Sequence, residues 1–233
     1  MIAGLLVALG VACDAERLGV DIPRGGPDVL SAPHIKRDVW RLTDPRIGGR
    51  VPGSSGARHV AKYTAFRMKD SGLDPAFDSG YRVDLGADVG EMVCGVHRGS
   101  GDQAILIASL DPGVGTLSVL PTVGLMSLAS TFQHPQAPMH SLYFCSIPES
   151  SGLSGLPLRS PVALASLLEV FLVGTLTGPR LVEGAGPKVG HVRSRLLHSG
   201  ALSSDISDRV GELDYEVIRD RLADAHRVIS NVD

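Results

Sequence analysis

The stretch AILIASLDPGVGTLSVLPTVGLMSLASTFQHPQAPMHSLYFCSI, Ala104 to Ile147, decides the fold. Its two ends, Ala104–Leu110 and Leu142–Ile147, are short apolar runs bounded by glycine, serine and aspartate, the pattern of buried strands. Between them Val123–Phe132 is long enough and apolar enough for one helix. Strand, helix, strand is the crossover unit of a parallel or mixed α/β sheet.

The same reading extends outward. Met92–Val96 is a third short apolar run, and Leu167–Leu176 a fourth, though its length leaves helix open. From Ala57 to Lys69 the apolar positions Ala57, Val60, Ala61, Ala65 and Met68 follow helical spacing, and Gly72 stops the pattern. Near the end, Tyr215, Ile218, Leu222, Ala225 and Ile229 mark one helical face, with Asp214 placed as N-cap and Leu213 set to pack on Ile218. No internal repeat or composition shift divides residues 40 to 233. The expectation is one α/β domain over 41–233, with a mixed, mostly parallel central sheet flanked by helices.

Composition sets the functional bounds. The chain has 233 residues, 43% of them hydrophobic, enough for a sizeable core. Its 22 basic and 25 acidic residues form no cluster of either sign, so nucleic acid is excluded as a partner. The start, MIAGLLVALGVAC, holds an apolar run too short to span a bilayer and reads as a signal-peptide core, 1–13. Gly10, Val11, Ala12 and Cys13 resemble a lipoprotein cleavage box, in which the cysteine is lipidated. The polar, Pro/Gly-rich segment that follows, 14–40, reads as a tether. Export to a bacterial periplasm, or attachment to a membrane through Cys13, is therefore expected, with a first buried strand or helix as the alternative. Cys94 and Cys145 permit one disulfide but do not demand it, and two buried thiols are the expected state. Trp40 is expected to cover core.

The landmarks, taken in order, resemble the co-catalytic zinc aminopeptidases, peptidase family M twenty-eight, whose relatives include glutaminyl cyclases and the transferrin receptor ectodomain. Asp44–Phe77 is similar to that family's opening: a Gly-Arg and Gly-Ser turn, a helix, then Gly-Leu-x-Pro. ILIASLDPGVG sits where the family has a strand ending in His-x-Asp, and LPTVGLMSLA where it has Asp-x-x-x-Gly opening a helix. FCSIPESSGLSGL sits at the family's Glu-Glu-x-Gly-x-x-Gly-Ser, and GTLTG at its Asp-x-x-Gly. SDISDRVGELDYEVIRDRLADA resembles the closing turn and terminal helix.

Active members of that family hold two zinc ions and use a glutamate as general base on a bridging water. Aligned to them, the first histidine falls at Ser109, the bridging aspartate at Leu120, the second glutamate at Ser150, the later aspartate at Thr175 and the last histidine at Ala201. None of these offers an imidazole or an anionic oxygen. Two carboxylates remain: Asp111, counterpart of the residue that orients the lost histidine, and Glu149, counterpart of the general base. The resemblance thus implies a catalytically inactive, aminopeptidase-like domain without a metal cofactor, binding a protein or peptide. Ser109, Leu120, Ser150 and Thr175 are expected to line its cleft with Asp111 and Glu149. The alternative is a divergent metallopeptidase or glutaminyl-cyclase-like enzyme that takes zinc from unmatched residues such as His97, Asp102, His191 or His198.

Blander patterns stay bland. His134 and His140 in QHPQAPMH have no accompanying cysteine or carboxylate and read as a solvated loop. Ser109 and Asp111 lack the Gly-x-Ser-x-Gly elbow of a serine hydrolase. The glycine pairs in GSGD and GVGT lack a phosphate loop's lysine and spacing.

Overall fold

A computed structural model describes residues 25–111, 119–133, 138–148, 151, 161–163, 166–174, 177, 181–186, 192–198, 211 and 213–232. The strands are β1 (Asp74–Pro75), β2 (Arg82–Asp84), β3 (Glu91–His97), β4 (Ala104–Asp111), β5 (Ser141–Pro148), β6 (Leu167–Val173), β7 (Val182–Ala185) and β8 (Arg193–His198). The helices are α1 (Ala32–Leu42), α2 (Ser55–Asp70), α3 (Leu120–Thr131) and α4 (Tyr215–Ser230).

All eight strands join one sheet in the order β1-β3-β5-β4-β6-β8-β7, with β2 also paired to β3. The middle four, β5, β4, β6 and β8, run parallel. The outer strands are antiparallel to their neighbours: β3 to β5, β1 and β2 to β3, and β7 to β8. The crossover expected from Ala104–Ile147 is present, with α3 linking β4 to β5 in unbroken register from Ala104↔Ser141 to Asp111↔Pro148. This is a mixed, mostly parallel sheet flanked by helices.

Side chains alternate across the sheet and build two cores. One face carries Ile105, Ile107, Phe144 and Phe171 and receives the apolar stripes of all four helices. The other carries Cys94, Leu106, Ala108, Cys145 and Ile147. Because β4 is covered on both faces, its sequence is a continuous apolar run rather than an alternating one. At α4 the expected N-cap is in place, with Asp214 accepting from the N–H groups of Glu216 and Val217 at 3.1 Å each. Leu213 and Ile218 share the first core. Gly72, with φ of 71°, ends α2 in a left-handed conformation that suits glycine.

Three expectations are corrected. Residues 14–40 are not all tether, because α1 starts at Ala32 and buries Ile35, Val39 and Leu42 in the first core. Its Asp38, fully buried, accepts from the Tyr63 hydroxyl at 2.7 Å and from Arg67 Nε at 3.1 Å, which pins α1 to α2. Trp40 does not cover core. It is 55% exposed, since Ala32, Ile35, Val39 and Leu42 take the inward face of α1. Finally, Cys94 and Cys145 are bonded to each other as directly facing residues of β3 and β5. Both are buried as expected, but 51 positions of sequence hide the antiparallel pairing that brings them within a Cα–Cα distance of 4.2 Å. Residues 1–24, including Cys13, lie outside the described residues.

Candidate binding site at the strand ends

The parallel strands present their C-terminal ends on one side of the molecule, the place where open α/β sheets bind ligands. β4 ends at Asp111 and β5 at Pro148, paired in register, one position before Glu149. Glu149, Ser150 and Thr175 themselves lie outside the described residues, as do Ala201, His191 and His134.

Ser109 and Leu120 are not part of an open cleft. Ser109 is fully buried, and its hydroxyl lies 3.5 Å from that of Thr122, on the first turn of α3. The Thr122 hydroxyl in turn lies 3.4 Å from that of Ser146 on β5. Leu120 is 4% exposed and belongs to the core beneath α3. β4 and β5 turn the Ser109 and Ser146 side chains toward α3. What lies between α3 and the strand ends is thus a short run of neutral hydroxyls.

Asp111 does face open space. A cavity of about 370 Å³ lies between α2 and the ends of β3, β4 and β5, and Asp111, Arg50, Ser146 and Thr64 supply polar groups to its wall. Its apolar lining comes from Ala57, Val60 and Ala61 of α2 and from Val93 of β3. Val93 and Ser146 pair across β3 and β5, so two neighbouring strands form one continuous wall. Pro52, Val89 and Glu91 edge the mouth, and Val51, the residue before Pro52, is exposed. The two loops that carry these residues touch. Gly53 has φ of 75°, and a Cβ there would lie 2.3 Å from the Ala87 carbonyl oxygen, so only glycine lets them close.

Among the described residues, the charges of the wall are paired. Arg50 Nη1 lies 3.9 Å from Asp111 Oδ1, with the two side chains 7% and 18% exposed. Burial pushes the Arg50 pKa down, and the Asp111 charge opposes that shift. Glu91 is held by Arg82 at 2.9 Å. Thr64 differs. It is 1% exposed, and its hydroxyl has no hydrogen-bond partner among the described residues. Sequence reading missed Arg50 and Thr64. The signal for Thr64 was present, as a polar residue in register with Val60, Ala61 and Met68 on the inward face of α2.

The unmatched residues named as alternative ligands are divided between the two ends of the sheet. His198 closes β8 at the same end as Asp111. His97 pairs with Leu142 at the start of β5, and Asp102 precedes β4. Eight strand residues, roughly 25 Å, separate them from the Asp111 end. His140 is not solvated. It is 8% exposed, and neither ring nitrogen has a hydrogen-bond partner among the described residues. The segment 98–103 zips onto 138–141 through Ser100 N–H to Pro138 O, Gly101 N–H to Met139 O and Ser141 N–H to Gln103 O, which covers it.

A co-catalytic zinc pair needs several imidazole or carboxylate ligands at the strand ends. Among the described residues, no group of three His, Cys, Asp or Glu side chains could hold a metal ion. The hydroxyls of Ser109, Thr122 and Ser146 carry no charge, and Asp111 faces a guanidinium. This donor set does not fit zinc.

No family model matches the sequence, and no curated protein matches it. Solved structures do. A leucine aminopeptidase precursor from Bacteroides thetaiotaomicron superposes with a TM-score of 0.66 at 11% identity, over 88% of this chain and 98% of that one. An aminopeptidase from Aneurinibacillus sp. strain AM-1 gives 0.65 at 8% identity, over 87% and 94%. A glutaminyl cyclase from Bacteroides thetaiotaomicron gives 0.63 at 10%, over 88% and 99%. The chain therefore has the fold of zinc exopeptidases and glutaminyl cyclases.

Proposed function

We propose that this chain is a non-catalytic, aminopeptidase-like binding domain that takes a peptide or a segment of a partner protein into the cavity beneath α2. The observation that carries this reading is the chemistry at the strand ends: the Ser109, Thr122 and Ser146 hydroxyls and an Arg50–Asp111 ion pair stand where metal catalysis needs anionic and imidazole ligands. A carboxylate without a metal-bound water has no nucleophile to activate.

Export fits the same reading. A buried disulfide persists in oxidising compartments and is rare in reducing ones, which supports a periplasmic or membrane-anchored protein. Intact mass of protein from its native host tests this, with processing at Cys13 the expected result and an unprocessed chain the contrary one.

The rival reading, a divergent metallopeptidase or cyclase, draws on His198 at the same sheet end as Asp111. Elemental analysis of protein purified without chelators, together with an aminopeptidase and glutaminyl cyclase assay, separates the two. Metal well below one equivalent and no turnover support the binding domain. About two zinc per chain, with turnover abolished by Asp111→Asn, would overturn it.

A further inference from the structure

Away from the cavity, charge that balances over the whole chain is segregated along it. Lys36 to Lys69 holds nine of the 22 basic residues and two of the 25 acidic ones, whereas Asp70 to Glu91 holds six acidic residues and one arginine. The even spread expected from composition therefore fails at the surface of α1 and α2. On α1, Lys36, Arg37, Trp40 and Arg41 are exposed, opposite the buried Ile35, Val39 and Leu42. On α2, exposed Lys62, Phe66 and Lys69 recur at four- and three-residue steps, opposite Val60, Ala61 and Met68. Both helices pack on the first core, so the two stripes share one side of the molecule. The carboxylates of these helices, buried Asp38 and exposed Asp70, are taken up by Arg37 and Arg67. Lys36, Lys62 and Lys69 are left without an acidic partner on either helix.

Trp40 and Phe66 stand among those cations at 55% and 60% exposure. Exposed aromatic rings flanked by lysine and arginine suit the interface of a bilayer, where rings settle at headgroup level and cations meet phosphates. The crease between the helices is already filled. There the Tyr63 hydroxyl donates to Asp38 at 2.7 Å, and the Arg41 guanidinium lies 5.7 Å over the Tyr63 ring. A filled crease gives a partner's helix no groove to enter but does not hinder contact with a plane of headgroups. A second copy fits less well. Its acidic run, Asp70 to Glu91, would attract the lysines, but no large apolar side chain is exposed there to receive Trp40 and Phe66. The buried disulfide favours an oxidising compartment, where phospholipid rather than nucleic acid is the polyanion at hand.

We infer that the outer face of α1 and α2 docks on an anionic phospholipid surface, with Lys36, Lys62 and Lys69 meeting headgroup phosphates and Trp40 and Phe66 entering the headgroup layer. This depends neither on the cavity as a binding site nor on lipidation of Cys13. Each lysine near such a surface strengthens binding about fivefold. The same surface repels the run from Asp70 to Glu91, so the segregation of charge also sets which side of the molecule turns toward the bilayer.

Trp40 is the single tryptophan of the chain, so its emission reports on this face alone. The test adds the full chain carrying Cys13→Ser, which prevents acylation, to vesicles of phosphatidylcholine alone or with about one third phosphatidylglycerol. The anionic vesicles should move the Trp40 emission to shorter wavelength. Salt at about 1 M, where the screening length falls to about 3 Å, should abolish the shift. Lys62 and Lys69 are exposed, so Lys62→Gln with Lys69→Gln keeps the fold, and it should weaken the vesicle titration roughly thirtyfold. Phe66→Ser should weaken it about tenfold. No shift with anionic vesicles, an equal shift with neutral ones, or an unchanged titration in the double lysine variant would each overturn the inference. So would the same shift without vesicles, accompanied by self-association in sedimentation, which assigns the face to a second copy. A tighter response to polyglutamate or to a DNA duplex than to the anionic vesicles would overturn it as well.

Discussion

Asp38 is a carboxylate with no exposed surface, and three donors hold it: the Tyr63 hydroxyl, Arg67 Nε and, at 3.2 Å, Arg37 Nε. Burial first, and then the bond to Asp38, push the Tyr63 hydroxyl up to about 12. Asp38→Ala would strand two part-buried donors between α1 and α2. Arg67 keeps the exposed Asp70 as a second partner, so the cost falls at the lower end for a broken buried pair, about 3 kcal/mol, read from the urea midpoint by circular dichroism. His226 supplies a pH response. Thr131 Oγ1 donates to the Leu128 carbonyl at 2.7 Å, so it accepts from His226 Nδ1–H at 2.8 Å, and the ring packs 4.5 Å from Phe132. Burial, with Arg227 second, holds this histidine below its ordinary value of 6.5. The unfolded chain therefore takes up the proton at higher pH than the folded one. The contribution to stability is present above about pH 6.5 and is lost as pH falls through the lowered folded value. Denaturant titrations at about pH 7 and about pH 5 should show a smaller loss for His226→Gln than for the native chain.

Among the elements, β3 and β5 are joined twice, by backbone pairing and by the disulfide. Closing a 51-residue separation removes about 4 kcal/mol of unfolded-chain freedom on the chain-entropy account. The double variant Cys94→Ala with Cys145→Ala should lose stability of that order, and added reductant should then have no further effect on its melting curve. Elements that read as one continuous apolar run or one helical stripe were legible in the sequence: β3, β4, β5 and the stripes of α2 and α4. Two others were not. α1 has its buried residues at the right spacing, but Pro33 and the glycines and prolines before it imitate a linker. β8 reads RSRLLH, and its charge conceals a strand because Arg195 bonds buried Glu169 at 2.5 Å while its guanidinium lies over the Phe171 ring. A pattern of apolar positions does not register a strand whose polar residue is neutralised by its neighbour.

For the molecule as a whole, the mixed, mostly parallel sheet followed from one crossover and the order of the landmarks, whereas the strand order and the cavity did not. Its wall is assembled from α2, β3, β4, β5 and two loops, positions spread from Arg50 to Pro148, and only folding shows that Thr64 and Asp111 face one space. A domain that owes no stability to a bound ion should ignore chelation. Extended dialysis against a strong chelator is expected to leave Tm unchanged within about a degree, since a lost ligand would otherwise withdraw its binding free energy from the folded state. The disulfide adds something that neither redox chemistry nor ligand chemistry alone describes. Cys94 and Cys145 lie one position from Val93 and Ser146, on the opposite face of the same two strands, so the bond backs the cavity wall like a rivet. If loss of the bond loosens that wall, reciprocity requires that a ligand held in the cavity make the bond harder to reduce by the same free energy.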